Sequence, residues 1–418
     1  MNKKIVGTAT KCRFCKTPLS RVFVDLGMSP LCQTQISPEQ LNHMEPFYPL
    51  CVYVCDNCFL VQLDEYVAPA EIFSNEYPYF SSFSDSWVAH AKQYCDVMTD
   101  RLSLDGSSLV MEIASNDGYL LQHFVDRGID VLGIEPTANT ASAAIDKGVR
   151  TDVSFFGLET AKQIAHKYGK PDLLLGNNVL AHVPDIVDFV SGMKALLKPS
   201  GAITMEFPHL LNLIDKNQFD TIYHEHFSYL SLFTVRQIFE STGLTIFDVE
   251  EISTHGGSLR IFARHEENGE LEISSRVGNL LKKEADFGLQ DFALYESYGE
   301  RVKETKRQIL DFLIEQNRAG KSVVGYGAPG KGNTLLNYCG IRTDFLQYTV
   351  DRSPHKYGTY TPGTHIPILH PDEIQRTKPD YIFVLPWNLI NEIIGQTSFA
   401  REWGASWVIP IPELKIIS

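Results

Sequence analysis

Ser108-Leu-Val-Met-Glu-Ile-Ala-Ser-Asn-Asp-Gly118 is an apolar run that breaks into a turn of small and polar residues. The run has the length and composition of a buried β-strand, and Tyr119 to Asp126 resumes at helical spacing. Small residues in a strand-to-helix turn let the backbone approach a ligand, with a helix N-terminus behind it. Val131-Leu-Gly-Ile-Glu135 then reads as a second strand ending in an acid. The acid follows the turn by about twenty residues, the spacing at which a carboxylate meets a ribose diol. This turn lacks G-x-G-x-x-G, which argues against a nicotinamide dinucleotide.

Further along, Pro171-Asp-Leu-Leu-Leu-Gly-Asn-Asn178 is a buried strand followed by Val179-Leu-Ala-His182, and Gly201-Ala-Ile-Thr-Met-Glu-Phe is another. Ligands of open α/β sheets bind outside the carboxyl ends of the strands, so Asn178 and His182 belong to the ligand edge. Directly after comes Phe219-Asp-Thr-Ile-Tyr-His-Glu-His-Phe-Ser-Tyr-Leu230, rich in imidazole and phenol, and then a helix over 234–241. Leu244 to Val249 and Ser258 to Arg264 form an antiparallel pair around His255-Gly-Gly-Ser258. Leu271 to Gln316 is proline-free and charged, a helical connector with a solvated face.

A second α/β unit opens at Ser322-Val-Val-Gly-Tyr-Gly-Ala-Pro-Gly-Lys-Gly-Asn-Thr334. The strand at Val323 enters a glycine-rich loop carrying Lys331, and a helix opens over 334–338, an arrangement suited to a phosphate. The Walker spacing is absent, so the loop grips a diphosphate rather than hydrolysing a nucleotide. Strands ending near Asp351 and Pro386 continue the unit.

Towards the N-terminus, an amphipathic helix is expected over 85–104, preceded by the aromatic, hydroxyl-rich Tyr77-Pro-Tyr-Phe-Ser-Ser82. The proline keeps this stretch from being a regular helix or a central strand. Cys12-Arg-Phe-Cys15 and Cys55-Asp-Asn-Cys58 are two C-x-x-C pairs. Together they give four thiolates for a tetrahedral zinc with no open position, a structural site that staples a small segment. Cys32 and Cys51 read as buried bystanders, with Cys51 an alternative ligand.

The chain has 418 residues, suggesting about three domains at roughly 150 residues each. A formal net charge of -14 argues against a nucleic-acid or anionic-membrane surface while leaving room for a local phosphate pocket. No apolar run is long enough to span a bilayer and the N-terminus has no signal-peptide core, so the expected location is the cytosol. Six of the eight cysteines fall within the first 58 residues, which favours metal over disulfides.

The strand, turn and paired acids resemble a class I S-adenosylmethionine-dependent methyltransferase. Glu112-Ile-Ala-Ser-Asn-Asp-Gly118 corresponds to the first motif of that family, with Ala114 where glycine is commoner. Taken in order, the four cysteines, Tyr77 to Ser82, Glu112 to Gly118, Tyr223-His-Glu-His226, His255 to Ser258 and Gly325 to Asn333 resemble the sugar C-methyltransferases nearly end to end. That resemblance implies an α/β fold of three parts: a small zinc-binding N-terminal domain, a Rossmann-like methyltransferase domain and a second Rossmann-like C-terminal domain. The expected divisions are 1–66 for zinc, 67–268 for S-adenosylmethionine, 269–318 for the connector and 319–418 for the nucleotide-sugar domain.

The resemblance also implies site roles. Glu112, Ala114, Ser115, Asn116, Asp117, Gly118, Glu135 and Asn178 hold the methyl donor. His226 takes a proton, with Tyr223, Glu225, His182 and either Tyr77 or Tyr79 around the reacting sugar. Ser81, Ser82, His224, Gly327, Ala328, Lys331, Asn333 and Asp351 contact the rest of the substrate. The substrate expected is a nucleoside-diphosphate 4-keto-6-deoxysugar, dTDP-linked in preference to GDP- or CDP-linked, methylated at C-3 for branched-sugar biosynthesis.

The residue chemistry is compatible with these roles. A ring ketone acidifies the neighbouring C–H, imidazole is the base best matched to neutral pH, and phenol or imidazole donors stabilise the enolate. Rival readings are a metal held by His224 and His226, a nicotinamide-dependent sugar oxidoreductase, and a zinc scaffold without activity.

Overall fold

The run after Ser108 is strand β1 (Leu109–Ile113), and β4 (Leu173–Asn177) beside it is buried at every position. Near-continuous apolar sequence is what a parallel strand covered on both faces requires. The computed structural model describes residues 10–73 and 80–418. They form two compact units, each assembled from separate segments of the chain.

The first unit comprises the described residues of Met1–Ser20, Cys55–His209 and Phe227–Gln290. Its seven-stranded sheet adds β2 (Asp130–Ile134), β3 (Thr151–Asp152), β5 (Ala202–Pro208), β6 (Leu244–Ile252) and β7 (Ser258–His265) in the order β6-β7-β5-β4-β1-β2-β3. Only β7 runs against its neighbours, closing the sheet with the expected antiparallel pair. This is the Rossmann-like methyltransferase sheet, and its order switches between β1 and β4, where ligands of such sheets bind. The helix before β1, Asp85–Leu102, starts where Ser84 accepts the Trp87 N–H. Its Tyr94, Cys95 and Met98 pack with Leu120, Phe124 and Val131 in the core.

The helix expected over 119–126 is a single turn, Gln122–Val125. Tight i to i−3 bonds from His123, Phe124, Arg127 and Gly128 alternate with α-helical ones from Gln122, Val125 and Asp126, and Gly128 at φ 72° ends the turn.

The second unit comprises Arg21–Val54, Leu210–His226 and Asp291–Ser418. Its sheet contains β8 (Val323–Tyr326), β9 (Thr349–Val350), β10 (Ile368–Leu369), β11 (Tyr381–Val384), β12 (Ser406–Ile409) and β13 (Lys415–Ile417), ordered β10-β9-β8-β11-β12-β13. All pairs are parallel except the last. Numbered from β8, the order is 3-2-1-4-5-6, that of a dinucleotide-binding sheet. An antiparallel hairpin, Arg21–Ser29 with Tyr48–Val54, also belongs to this unit, and its Phe23 stacks on Tyr298 at 4.6 Å.

The expected connector is two helices, Ser275–Phe287 in the first unit and Phe292–Arg318 in the second. Gly288 at φ 99° stops the first, and the Asp291 carboxylate caps the second by accepting the Ala293 N–H. Among the described residues no helix is long and apolar enough to cross a membrane.

Candidate active site

The turn after β1 is wound tightly. Ala114 and Asn116 take left-handed φ of 56° and 49°, and Gly118 follows at 73°. Ala114 thus adopts the conformation that favours glycine at its place in the motif. Gly133 of β2 makes room for the turn, since a Cβ there would lie 2.4 Å from the Ser115 hydroxyl oxygen.

Glu135 holds the turn from the next strand. One of its oxygens accepts the Asn116 N–H at 2.9 Å and the other the Thr137 N–H at 3.0 Å. Glu112 is fully buried, and burial beside Glu135 and Asp117 drives its carboxyl well above the usual range. Asp117 is engaged by the Lys147 ammonium at 2.8 Å and by the Ser82 hydroxyl, while the Ser81 N–H donates to Asn116 Oδ1 at 2.9 Å. Ser81 and Ser82 therefore lie against the turn.

At the end of β4, both amide atoms of Asn177 and the Oδ1 of Asn178 are buried with no hydrogen-bond partner among the described residues. Buried polar atoms of this kind are free to meet a ligand or water. Crowded carboxylates and open amides fit a donor that carries an ammonium, a sulfonium and ribose hydroxyls. Asn177 is an addition to the residues expected from sequence, and its place at the carboxyl end of β4 beside Asn178 was the available signal. His182 follows in a single 3₁₀ turn and lies edge-on to Phe73 at 5.9 Å.

The four thiols converge. The sulfur atoms of Cys12, Cys15, Cys55 and Cys58 lie within 4.8 Å of one another, with Cys12 to Cys58 at 3.6 Å and Cys15 to Cys55 at 3.4 Å. A tetrahedral zinc with bonds of about 2.3 Å sets its sulfurs about 3.8 Å apart, so the set fits. Both knuckles close alike: Lys16 (φ 62°) returns its N–H to Cys12 O, and Phe59 (φ 60°) to Cys55 O. Cys51 is not among these four, and no other such cluster occurs among the described residues. Within the first knuckle, Arg13 donates to Pro184 O at 2.6 Å and to Leu63 O, tying the metal segment to the loop after His182.

In the second unit Phe219–Thr221 forms one 3₁₀ turn, and the His226 N–H closes a further turn on Tyr223 O at 2.9 Å. His224 and His226 therefore do not alternate along a strand, which removes the geometry of the rival metal site. Nδ1 of His226 lies 2.8 Å from the Thr221 carbonyl oxygen. A carbonyl only accepts, so Nδ1 carries the hydrogen and Nε2 is the basic nitrogen of the neutral ring. The Tyr223 ring lies 4.0 Å from that imidazole, centroid to centroid. Glu225 is buried with Cys32 Sγ 3.9 Å from its Oε1. His224 is committed to Pro49 O at 3.2 Å beside Tyr48, and burial lowers its basicity. Tyr77 and Tyr79 lie outside the described residues.

In the second glycine-rich turn, Gly327 (φ 86°) leads into the helix Gly330–Cys339, which starts earlier than expected and has no side-chain cap. Asp351 accepts the Ala328 N–H at 2.8 Å and the Ser353 N–H at 2.9 Å. Lys331 reaches Asn388 and sits 4.3 Å over the Trp387 ring. Asn333 donates to Cys32 O at 2.7 Å. Gly325, Gly327 and Gly330 carry the G-x-G-x-x-G spacing, a signal present in the sequence here although absent from the first turn.

Family models match three successive stretches: a zinc binding domain over residues 12–73, a methyltransferase domain over 87–249, and a C-methyltransferase C-terminal domain over 253–412. The chain is 35% identical over 414 residues to C-methyltransferase NovU of Streptomyces niveus, covering 99% of this chain and 98% of that protein. A ubiquinone biosynthesis O-methyltransferase of Bartonella bacilliformis is 28% identical over 124 residues, 28% of this chain and 50% of that one. Among solved structures, the magnesium protoporphyrin IX methyltransferase of Synechocystis PCC 6803 with bound SAM is 18% identical, with 46% of this chain and 88% of that one covered and a TM-score of 0.32. Full-length identity at this level, together with the donor turn and the four-thiolate site, places the chain in the S-adenosylmethionine-dependent C-methyltransferase family, with zinc held by its N-terminal cysteines.

Proposed function

We propose that the chain methylates C-3 of a nucleoside-diphosphate-linked 4-keto-6-deoxysugar, with His226 as the base. The observation that supports this reading is the bond between His226 Nδ1 and the Thr221 carbonyl, which leaves Nε2 as the basic nitrogen of the ring. Nε2 removes the proton from the carbon next to the ketone, leaving an enolate. Tyr223 and His182 donate to the developing oxyanion, and Glu225 contacts a sugar hydroxyl. For Tyr77 or Tyr79 the family resemblance gives a further role at the sugar. When bound, S-adenosylmethionine supplies the methyl electrophile; Glu112, Glu135 and the Ala114–Gly118 turn hold it, while Gly327, Ala328, Lys331, Asn333 and Asp351 hold the nucleotide end. The substrate is a small cytosolic metabolite, dTDP-linked in the first instance.

His226→Gln should abolish methyl transfer while S-adenosylhomocysteine still binds with wild-type affinity. Retained turnover would remove His226 as the base. The G-x-G-x-x-G spacing and the β8–β13 strand order favour one second reading, a nicotinamide cofactor on the C-terminal sheet. Titration with NADH decides it, since a true ligand raises Tm and an unrelated nucleotide does not.

A further inference from the structure

Asp220 is 1% exposed, and its carboxylate is divided between two fates. Oδ2 accepts the Trp387 indole N–H at 2.7 Å, whereas Oδ1 is buried with no hydrogen-bond partner among the described residues. Burial pushes the carboxyl up to about 6, with Lys331 and the Trp387 bond opposing that rise. An acid kept in a dry place costs stability, and such a cost is commonly tolerated where a residue serves a site.

The next residue, Thr221, presents the carbonyl that receives His226 Nδ1. One residue further, the Ile222 carbonyl accepts the Thr334 hydroxyl at 3.1 Å. Phe219, at the head of the turn, is fully buried and lies edge-on to Tyr338 at 5.4 Å. The short segment that orients the imidazole is thus gripped at Asp220 and at Ile222. Both grips come from residues beside the second glycine-rich turn, Thr334 in its helix and Trp387 shortly after β11.

We propose that Asp220, Trp387 and Thr334 are positioning residues for His226, fixing the Phe219–Thr221 turn so that the Thr221 carbonyl sets the tautomer and aim of the imidazole. The proposal rests on His226 being the base. It gives the C-terminal sheet a part in proton abstraction as well as in holding the nucleotide, because Lys331 of its turn lies against the Trp387 ring that anchors Asp220.

The experiment measures deuterium wash-in at the carbon beside the ketone, using a dTDP-linked 4-keto-6-deoxysugar in D2O without methyl donor, alongside kcat and KM for methyl transfer. Trp387→Phe and Asp220→Ala should slow wash-in and kcat together by about 10- to 100-fold, the scale of a misplaced catalytic group. KM should change far less than kcat, because the phenylalanine replacement keeps an aromatic face for Lys331. Asp220→Asn should restore most of the rate, since its amide oxygen still accepts from the indole. Thr334→Val removes one hydroxyl at nearly constant volume and should slow wash-in by about threefold, in keeping with the loss of one neutral hydrogen bond. It serves as the test if the larger changes prevent folding, as judged by S-adenosylhomocysteine binding.

Wild-type wash-in in both Trp387→Phe and Asp220→Ala would overturn the proposal, as would an Asp220→Asn variant as slow as Asp220→Ala. Failure of the base assignment looks different: His226→Gln itself would then exchange at the wild-type rate.

Discussion

The two glycine-type turns share a plan and differ in charge. Each follows a buried strand, and each is held by an acid from the end of the next strand through a backbone N–H: Glu135 to Asn116 in the first, Asp351 to Ala328 in the second. In the first unit the turn sits among Glu112, Glu135 and Asp117, with Glu112 forced towards its neutral form. In the second unit the turn opens on an uncapped helix of ten residues whose first turn carries Lys331. The first topology is set for a cationic ligand, and for the second we propose an anionic one. The strand order brings a ligand to the switch point, and the side chains around the turn select its charge.

The largest expected effect falls on the cationic side. Glu112→Gln should weaken S-adenosylhomocysteine binding about 100-fold by calorimetry, the upper range for a hydrogen bond to a charged group. Asp351→Asn in the other unit should leave that affinity unchanged, and equal losses would break the contrast. In the anionic turn, Lys331→Ala should raise the Kd for dTDP about tenfold with donor affinity intact, a loss of about 1.4 kcal/mol.

Proton linkage sharpens the same contrast. The free Glu112 carboxyl titrates well above its usual value, and a bound ammonium favours its ionised form. Donor-product binding should therefore release a proton and tighten as pH rises through the free value. Binding heats measured in phosphate and in Tris should differ accordingly; identical heats would mean that Glu112 is already ionised.

The smallest effect concerns the acid beside the second turn. Asp220 titrates near 6 in the folded chain against an ordinary 3.8, so its contribution to stability is present below about pH 4 and lost as pH rises through 6. Asp220→Asn should raise Tm by about 1 to 3 °C at pH 8 and by less at pH 5. A larger gain at pH 5 would reverse the sign.

The sheet of the first unit was legible because a buried parallel strand must be apolar and its turn must be small, and the stretches from Leu109 to Gly118 and from Leu173 to Asn178 state both conditions locally. The zinc ligands were legible for the same reason, each pair being confined to four residues. Ser81 and Ser82 meet Asn116 and Asp117, but nothing in their own neighbourhood announces that partner. The division into two interleaved units also escapes a linear reading, because Arg21–Val54 returns to a body whose sheet begins at Val323. Asp220 and Trp387 are 167 residues apart, and neither belongs to a spacing motif that would pair them. The residue types around His226 and a family resemblance single it out. The turn that orients its ring is held by residues far along the chain, which no local pattern announces.

One reaction tests the proposed activity most directly: purified protein, S-adenosylmethionine and a dTDP-linked 4-keto-6-deoxysugar, with GDP- and CDP-linked counterparts, followed by mass spectrometry and carbon NMR of the product. One added methyl on C-3 of at least one substrate, absent with His226→Gln, is the predicted result. No carbon-bound methyl on any member of the series, from protein that binds S-adenosylhomocysteine normally, would contradict the proposed substrate class.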